Sequence, residues 1–176
     1  MIEPRRGSGS RLRILFLCTG NSARSQIAEA LLDRKGQGRF EVASAGSHPA
    51  DRVNPLALRV LRERGIDWSG KEPQGIDALG RQRWDLIITV CDRAKESCPV
   101  FPGQPVFAHW GMPDPAAVQG TEEERLRAFR DTITYLGRRI DLLLALPFEK
   151  LEQSALELRL ASLGADLEPH TSDLET

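Results

Sequence analysis

Six side chains could do chemistry together: Cys18, Arg24 and Ser25 in one short stretch, Cys91 and Cys98 in a second, and Asp114 in a third. In Cys18-Thr19-Gly20-Asn21-Ser22-Ala23-Arg24-Ser25 a cysteine stands six positions ahead of an arginine. That spacing lets the two ends of one loop meet the same ligand. A loop wrapped around a helix N-terminus turns successive backbone N–H groups toward one point, which suits a tetrahedral anion. On this reading Thr19, Gly20, Asn21, Ser22, Ala23 and Arg24 form the cradle. Gly20 allows its unusual backbone conformation, and Arg24 offers a planar fork to two anion oxygens. The same field, with the Ser25 hydroxyl as a donor, is expected to lower the Cys18 pKa and leave a thiolate nucleophile. The plainer alternative is a buried cysteine beside a surface arginine. The stretch lacks the Gly-Lys-Ser/Thr ending of a nucleotide P-loop, so ATP is not implied.

Cys91 and Cys98 lie seven positions apart in Val90-Cys91-Asp92-Arg93-Ala94-Lys95-Glu96-Ser97-Cys98-Pro99. Three readings stand side by side: a redox pair, two small buried hydrophobes, or part of a zinc site with Cys18 or His109, although the spacing is not a usual ligand pair. Asp114, in His109-Trp110-Gly111-Met112-Pro113-Asp114-Pro115, is either a turn aspartate or a general acid held in a stiff loop. His48, His109 and His170 share no spacing that suggests a site, and His109 is expected to pack at a strand end.

These residues need elements to hold them. Apolar and β-branched runs predict strands over 12–17, 40–44, 85–90 and, more weakly, 106–110. Helical patterns fill 22–35, with Ile27, Ala30 and Leu31 inward, and 54–64, opened by Asn54-Pro55 and closed by Gly65. The longest helix starts at Thr121, which forms a capping box with Glu124, and carries Leu126, Phe129, Ile133, Leu136 and Ile140 on one stripe until Pro147 ends it. Strands alternating with helices imply a single α/β domain built on a four-stranded parallel sheet, with Cys18 at the carboxyl end of its first strand. Residues 1–10 read as a flexible tail and 11–147 as the catalytic domain. Residues 148–176 form an extension: a helix through Leu151, Ala155, Leu158 and Ser162 over 148–163, then a frayed end.

The composition narrows the function. The 176 residues carry 24 Lys and Arg against 25 Asp and Glu, a formal net charge of -1, and no basic tract serves as a nucleic-acid footprint. The apolar runs are too short to span a membrane. Arg11, Arg13 and the apolar stretch after them lead to no cleavage site, so the expectation is a cytoplasmic protein. An odd cysteine count without an export signal argues against a structural disulfide framework.

The anion loop and the helix start Arg24-Ser25-Gln26-Ile27-Ala28-Glu29-Ala30 resemble the low-molecular-weight protein tyrosine phosphatases and the thioredoxin-coupled arsenate reductases built on their fold, over residues 12 to about 146. The phosphatases usually have a second cysteine where Ala23 stands and a proline where Gln26 stands, whereas the reductases read Arg-Ser-Gln. The resemblance implies arsenate reduction through a relay. Cys18 displaces an arsenate oxygen, Cys91 attacks Cys18 as arsenite leaves, and Cys98 resolves the disulfide for thioredoxin. It also implies that Asp114 is the acid. Ala116-Ala117 replaces the tyrosine that follows Asp-Pro in phosphatases. Asn21, Glu29 and Ser44 match positions that hold potassium in some of the reductases, but Gln74 stands near where those enzymes have a ligand aspartate. The expected partners are arsenate, with phosphate and sulfate as competitors, and thioredoxin. No nucleic acid, membrane or tightly bound cofactor is expected, and the protein should be a monomer. The alternatives are a phosphatase acting through a Cys18 phosphoenzyme and a non-catalytic oxyanion or redox sensor.

Overall fold

A computed structural model of the chain describes residues 11–96, 98–148 and 153–165. Four strands, β1 (Leu12–Cys18), β2 (Phe40–Gly46), β3 (Leu86–Thr89) and β4 (Val106–His109), form one sheet in the order β2-β1-β3-β4. All three pairings are parallel. The chain leaves β1 for one neighbour, β2, and returns on the other side as β3. The carboxyl ends of β1 and β3 therefore form the switch point at which open α/β sheets bind ligands. Ile14, Leu15, Phe16 and Leu17 are buried without a break, as expected of a strand covered on both faces.

Helix α1 (Arg24–Gly36) begins two residues later than the pattern predicts, because Ser22 and Ala23 still belong to the loop. It buries Ile27, Ala28, Ala30, Leu31 and Leu32 between the sheet and the long helix α4 (Glu122–Leu144). The α4 stripe Leu126, Phe129, Ile133, Leu136 and Ile140 is buried as its spacing requires, and both halves of the Thr121–Glu124 capping box form. Helix α2 (Pro55–Glu63) starts with the Asn54 side chain accepting from the Leu56 N–H and Pro55 in the first turn, and Gly65 follows it at φ +74°. A five-residue helix, α3 (Asp92–Glu96), follows β3, and α5 (Gln153–Ala165) packs on β4 and α4.

The face of α5 differs from the expectation. Leu158 is 74% exposed, whereas Leu156 and Leu160 are buried, so the inward stripe runs through Leu156 and Leu160 and not through Leu158. The helix has apolar residues on both sides, and periodicity alone could not choose between them. Leu151 and residues 1–10 and 166–176 lie outside the described residues. No helix among those described is long and apolar enough to cross a membrane.

Candidate active site

The loop from Cys18 to Ala23 is held from outside by its own carbonyls. Cys18, Thr19, Gly20 and Ser22 each accept a hydrogen bond from a backbone N–H of the segment after β2, namely those of Ser47, His48, Ala50 and Asn54, at 2.8–3.3 Å. With the carbonyls turned outward, the loop N–H groups are left to face inward. Ala23, the N-cap of α1, supplies no side-chain cap, so the first-turn N–H groups stay available to an anion. Gly46 makes the close approach possible: a Cβ there would stand 2.4 Å from the Thr19 carbonyl oxygen and 2.9 Å from the Asn21 nitrogen. Sequence reading missed Gly46, and it assigned the unusual backbone to the wrong residue. Asn21, not Gly20, takes the left-handed conformation, at φ +49°. Asparagine tolerates that region better than other side chains with a Cβ.

Asn21 is fully buried and uses its whole hydrogen-bonding capacity. Its amide donates to Ser25 Oγ and Ser44 Oγ, both at 2.8 Å, and its Oδ1 accepts from Gln26 Nε2 at 3.1 Å and the Gln74 N–H at 2.9 Å. Ser25 Oγ, which accepts from Asn21, lies 2.8 Å from Cys18 Sγ with its hydroxyl hydrogen free to donate to a thiolate there, and the Asn21 N–H donates to the same sulfur at 3.1 Å. Two donors thus converge on the nucleophile. Burial nevertheless has the largest influence and pushes the Cys18 thiol up, against the pull of Ser25, Asn21 and the Arg24 charge. The expected lowering is therefore not the net result. The donors are legible in the sequence, but the near-complete burial of the sulfur is not.

Arg24 is aimed across the site. Its Nη1 donates to the Met112 carbonyl at 3.0 Å, and its Nη2 lies 3.8 Å from Asp114 Oδ2. Asp114 also accepts from the Ala116 N–H, which starts a 3₁₀ turn (Pro115–Ala117). The turn reading and the site reading of Asp114 are therefore both satisfied by the same carboxylate. Cys91 reaches the rim of the loop, because β1 and β3 are adjacent and the Val90 N–H bonds to the Leu17 carbonyl. Its Sγ lies 3.4 Å from Thr19 Oγ1. Cys98, beyond α3, is half-buried against the core, and burial raises its thiol. All three cysteines are free thiols, and no cluster of metal-ligating side chains occurs among the described residues.

The potassium positions form a closed network. Ser44 Oγ donates to Glu29 Oε2 at 2.6 Å, Gln74 Nε2 donates to the Ser44 carbonyl at 2.8 Å, and Lys71 Nζ lies 3.4 Å from Glu29 Oε1, over the Trp68 ring. Trp68 in turn donates to Gln26 Oε1 at 2.8 Å. Burial raises the Glu29 carboxyl, while Ser44 and then Lys71 oppose that shift. Protein donors therefore occupy the oxygens that an alkali cation would need, and the set does not fit potassium. Trp68 and Lys71 carried no sequence signal, since their partners lie 42 positions away, whereas Gln26 was read only as part of the Arg-Ser-Gln helix start. His109 is more than a packing residue. Its Nδ1 lies 2.7 Å from Thr89 Oγ1, and its Nε2 lies 2.9 Å from Asp92 Oδ1.

Residues 13–156 match the family described as low molecular weight phosphotyrosine protein phosphatase. An arsenate reductase of Halalkalibacterium halodurans is 42% identical over 127 residues, which cover 72% of this chain and 91% of that protein. The structure of a thioredoxin-dependent arsenate reductase of Corynebacterium glutamicum aligns with TM-score 0.55 at 31% identity, covering 78% of this chain and 65% of that one. A low molecular weight protein tyrosine phosphatase of T. tengcongensis aligns with TM-score 0.60 at 26% identity, covering 80% and 99%.

Proposed function

We propose that this chain, which belongs to the low molecular weight phosphotyrosine protein phosphatase family, is an arsenate reductase that works through a three-thiol relay and is regenerated by thioredoxin. The observation that carries the relay is the Cys91 thiol 3.4 Å from the hydroxyl of Thr19, the residue next to Cys18. A hydrolase of this architecture needs Cys18, Arg24 and an acid. On that reading Cys91 and Cys98 serve only as redox protection.

In the proposed cycle the loop N–H groups and Arg24 bind arsenate and orient it toward Cys18 Sγ. The Cys18 sulfur, which gives up its proton on attack, bonds to arsenic, and one arsenate oxygen leaves as water with a proton from Asp114. The Cys91 thiolate then attacks Cys18 Sγ. As the Cys18–Cys91 bond forms, the sulfur–arsenic bond breaks and its electron pair stays on arsenic, which falls from the +5 to the +3 state and leaves as arsenite. Cys98 next attacks Cys91, releasing the Cys18 thiolate. The dithiol of thioredoxin reduces the resulting Cys91–Cys98 disulfide. Phosphate and sulfate, which share the tetrahedral shape, compete for the loop.

The Glu29 network supports a site that runs without potassium, Lys71 supplying the positive charge. Residues 11–147 carry the cycle on this reading, and 148–176 extend it. The rival reading, phosphate monoester hydrolysis, is favoured by the same Cys18, Arg24 and Asp114 geometry and by the likeness to a phosphatase. Ala116 and Ala117 offer a phosphotyrosyl ring nothing to stack on. One comparison separates the two: arsenite production with thioredoxin and its reductase, beside hydrolysis of an aryl phosphate. Sustained arsenite turnover is expected, with slow hydrolysis. Fast hydrolysis without arsenite would reverse the assignment.

A further inference from the structure

His109 sits between the core and the redox segment, held on three sides. Thr89 Oγ1 meets Nδ1 at 2.7 Å, shorter than the 3.5 Å from the same hydroxyl to the Ala108 carbonyl. The Asp92 carboxylate 2.9 Å from Nε2 can only accept, so Nε2 carries a hydrogen and, in the neutral ring, Nδ1 accepts from the Thr89 hydroxyl. Gly111 lies beneath the pair: a Cβ there would stand 2.7 Å from His109 Nε2 and 3.2 Å from Asp92 Oδ1. Gly164, near the end of α5, closes on the backbone, where a Cβ would stand 2.4 Å from the His109 carbonyl oxygen. Buried Arg139 of α4 ties the same turn to α5, with Nη1 3.5 Å from the carbonyl oxygens of Trp110 and Gly111 and Nη2 3.4 Å from that of Gly164. His109 is thus a fixed donor. Its partner is not fixed in the same way. Asp92 is exposed, follows Cys91 directly, and is the first residue of the five-residue helix α3.

We infer that His109 and Asp92 form a latch that holds α3 in the dithiol state and opens when the Cys91–Cys98 disulfide forms. The inference rests on the relay reading. Helix α3 fills five of the six positions between Cys91 and Cys98 and alone rises roughly 7.5 Å, whereas a disulfide requires its two Cα atoms within about 7 Å. Joining Cys91 to Cys98 therefore unwinds α3 and draws Asp92 away from His109. In the cycle Cys98 gives up its proton and attacks Cys91, so the Cys91–Cys98 bond forms as the Cys18–Cys91 bond breaks and Cys18 leaves as the thiolate. In a test an external disulfide takes up the two electrons and two protons of the Cys91 and Cys98 thiols. The latch favours the dithiol, so it sets how readily the pair oxidises. His109 is a positioning residue. It touches neither the substrate nor the reacting sulfurs.

The test uses the full-length chain carrying Cys18→Ser, so that only Cys91 and Cys98 can pair, equilibrated in glutathione redox buffers and read by alkylation and mass spectrometry. An exposed pair of this kind is weak, so Asp92→Ala and His109→Ala should each shift the equilibrium about two- to fivefold toward the disulfide. The double substitution should shift it no further than either single one. His109→Gln, which keeps an N–H donor, should recover part of the effect. With Cys18 intact, aryl phosphate hydrolysis should be unchanged by Asp92→Ala. Unshifted or additive equilibria, or hydrolysis falling in step with the redox shift, would overturn the latch while leaving the relay standing. Absence of any Cys91–Cys98 disulfide in the parent would overturn the relay, and the latch with it.

Discussion

The anion loop and the redox segment sit side by side at the carboxyl ends of β1 and β3, yet they are built in opposite ways. In the loop, Asn21, Ser25 and Gln26 are buried, the carbonyls of Cys18, Thr19, Gly20 and Ser22 are bonded outward, and Asn21 has no unused donor or acceptor. In the segment, Asp92 and Arg93 are exposed and α3 has only five residues. A group that must meet a transition state at fixed distances gains from a rigid frame. A group that must carry a sulfur from one partner to another gains from weak anchorage, because local opening is then inexpensive. The difference predicts that substitutions in the loop damage both hydrolysis and reduction, whereas substitutions in the segment damage reduction alone.

The largest effect expected is that of Cys18→Ser, which should abolish arsenate reduction and aryl phosphate hydrolysis together, since a hydroxyl in the same place is a far poorer nucleophile. Appreciable turnover in either assay would remove Cys18 from the chemistry. Asp114→Asn should follow, lowering kcat roughly a hundredfold with little change in KM, because it deletes a proton donor and leaves the cradle in place. An unaltered kcat would leave Asp114 with only its turn role, the bond from the Ala116 N–H.

Asn21→Ala tests the rigid side of the comparison. It unpairs several buried polar groups and puts alanine at φ +49°, so a loss on the order of 3 kcal/mol in chemical denaturation is expected. A loss well under 1 kcal/mol would mean that the loop frame is carried by the backbone bonds alone.

The smallest effect concerns Glu29. Burial raises its carboxyl in the folded chain, so between the ordinary carboxylate range and that raised value the folded state holds more protons than the unfolded one. The stability it contributes is fully present below the ordinary range and is lost as pH rises through the raised value. Melting temperatures measured across mildly acidic pH should therefore fall less steeply for Glu29→Gln than for the parent. Parallel curves would show that Lys71 and Ser44 fully offset the cost of burial.

Much of this architecture was legible in the residues. The strands were visible because β-branched and apolar runs alternate with capped, periodic helices, as in the Thr121–Glu124 box and the Asn54-Pro55 start. The loop was visible because the Cys18 to Arg24 spacing is short and local. What stayed hidden depends on distant contacts. Gly46 matters only because β2 ends against the Thr19 carbonyl. Lys71 meets Glu29 across 42 positions, and His109 meets Asp92 across 17. The Cys18 thiol was expected to fall because its donors are local, but it rises because its burial is a property of the whole fold. The α5 stripe was misjudged for a related reason: its apolar residues lie on more than one side, and only packing against β4 selects Leu156 and Leu160.

The central claim is that one thiol nucleophile in a phosphatase-type loop is coupled to two further thiols. A single-turnover experiment on Cys98→Ser tests it most directly, with one equivalent of arsenate and no thioredoxin, followed by arsenite quantification and mass spectrometry of the thiols. The relay predicts one arsenite per chain and a trapped Cys18–Cys91 disulfide, with no second turnover. Continued cycling of this variant with thioredoxin, or arsenite release without a Cys18–Cys91 bond, would contradict it.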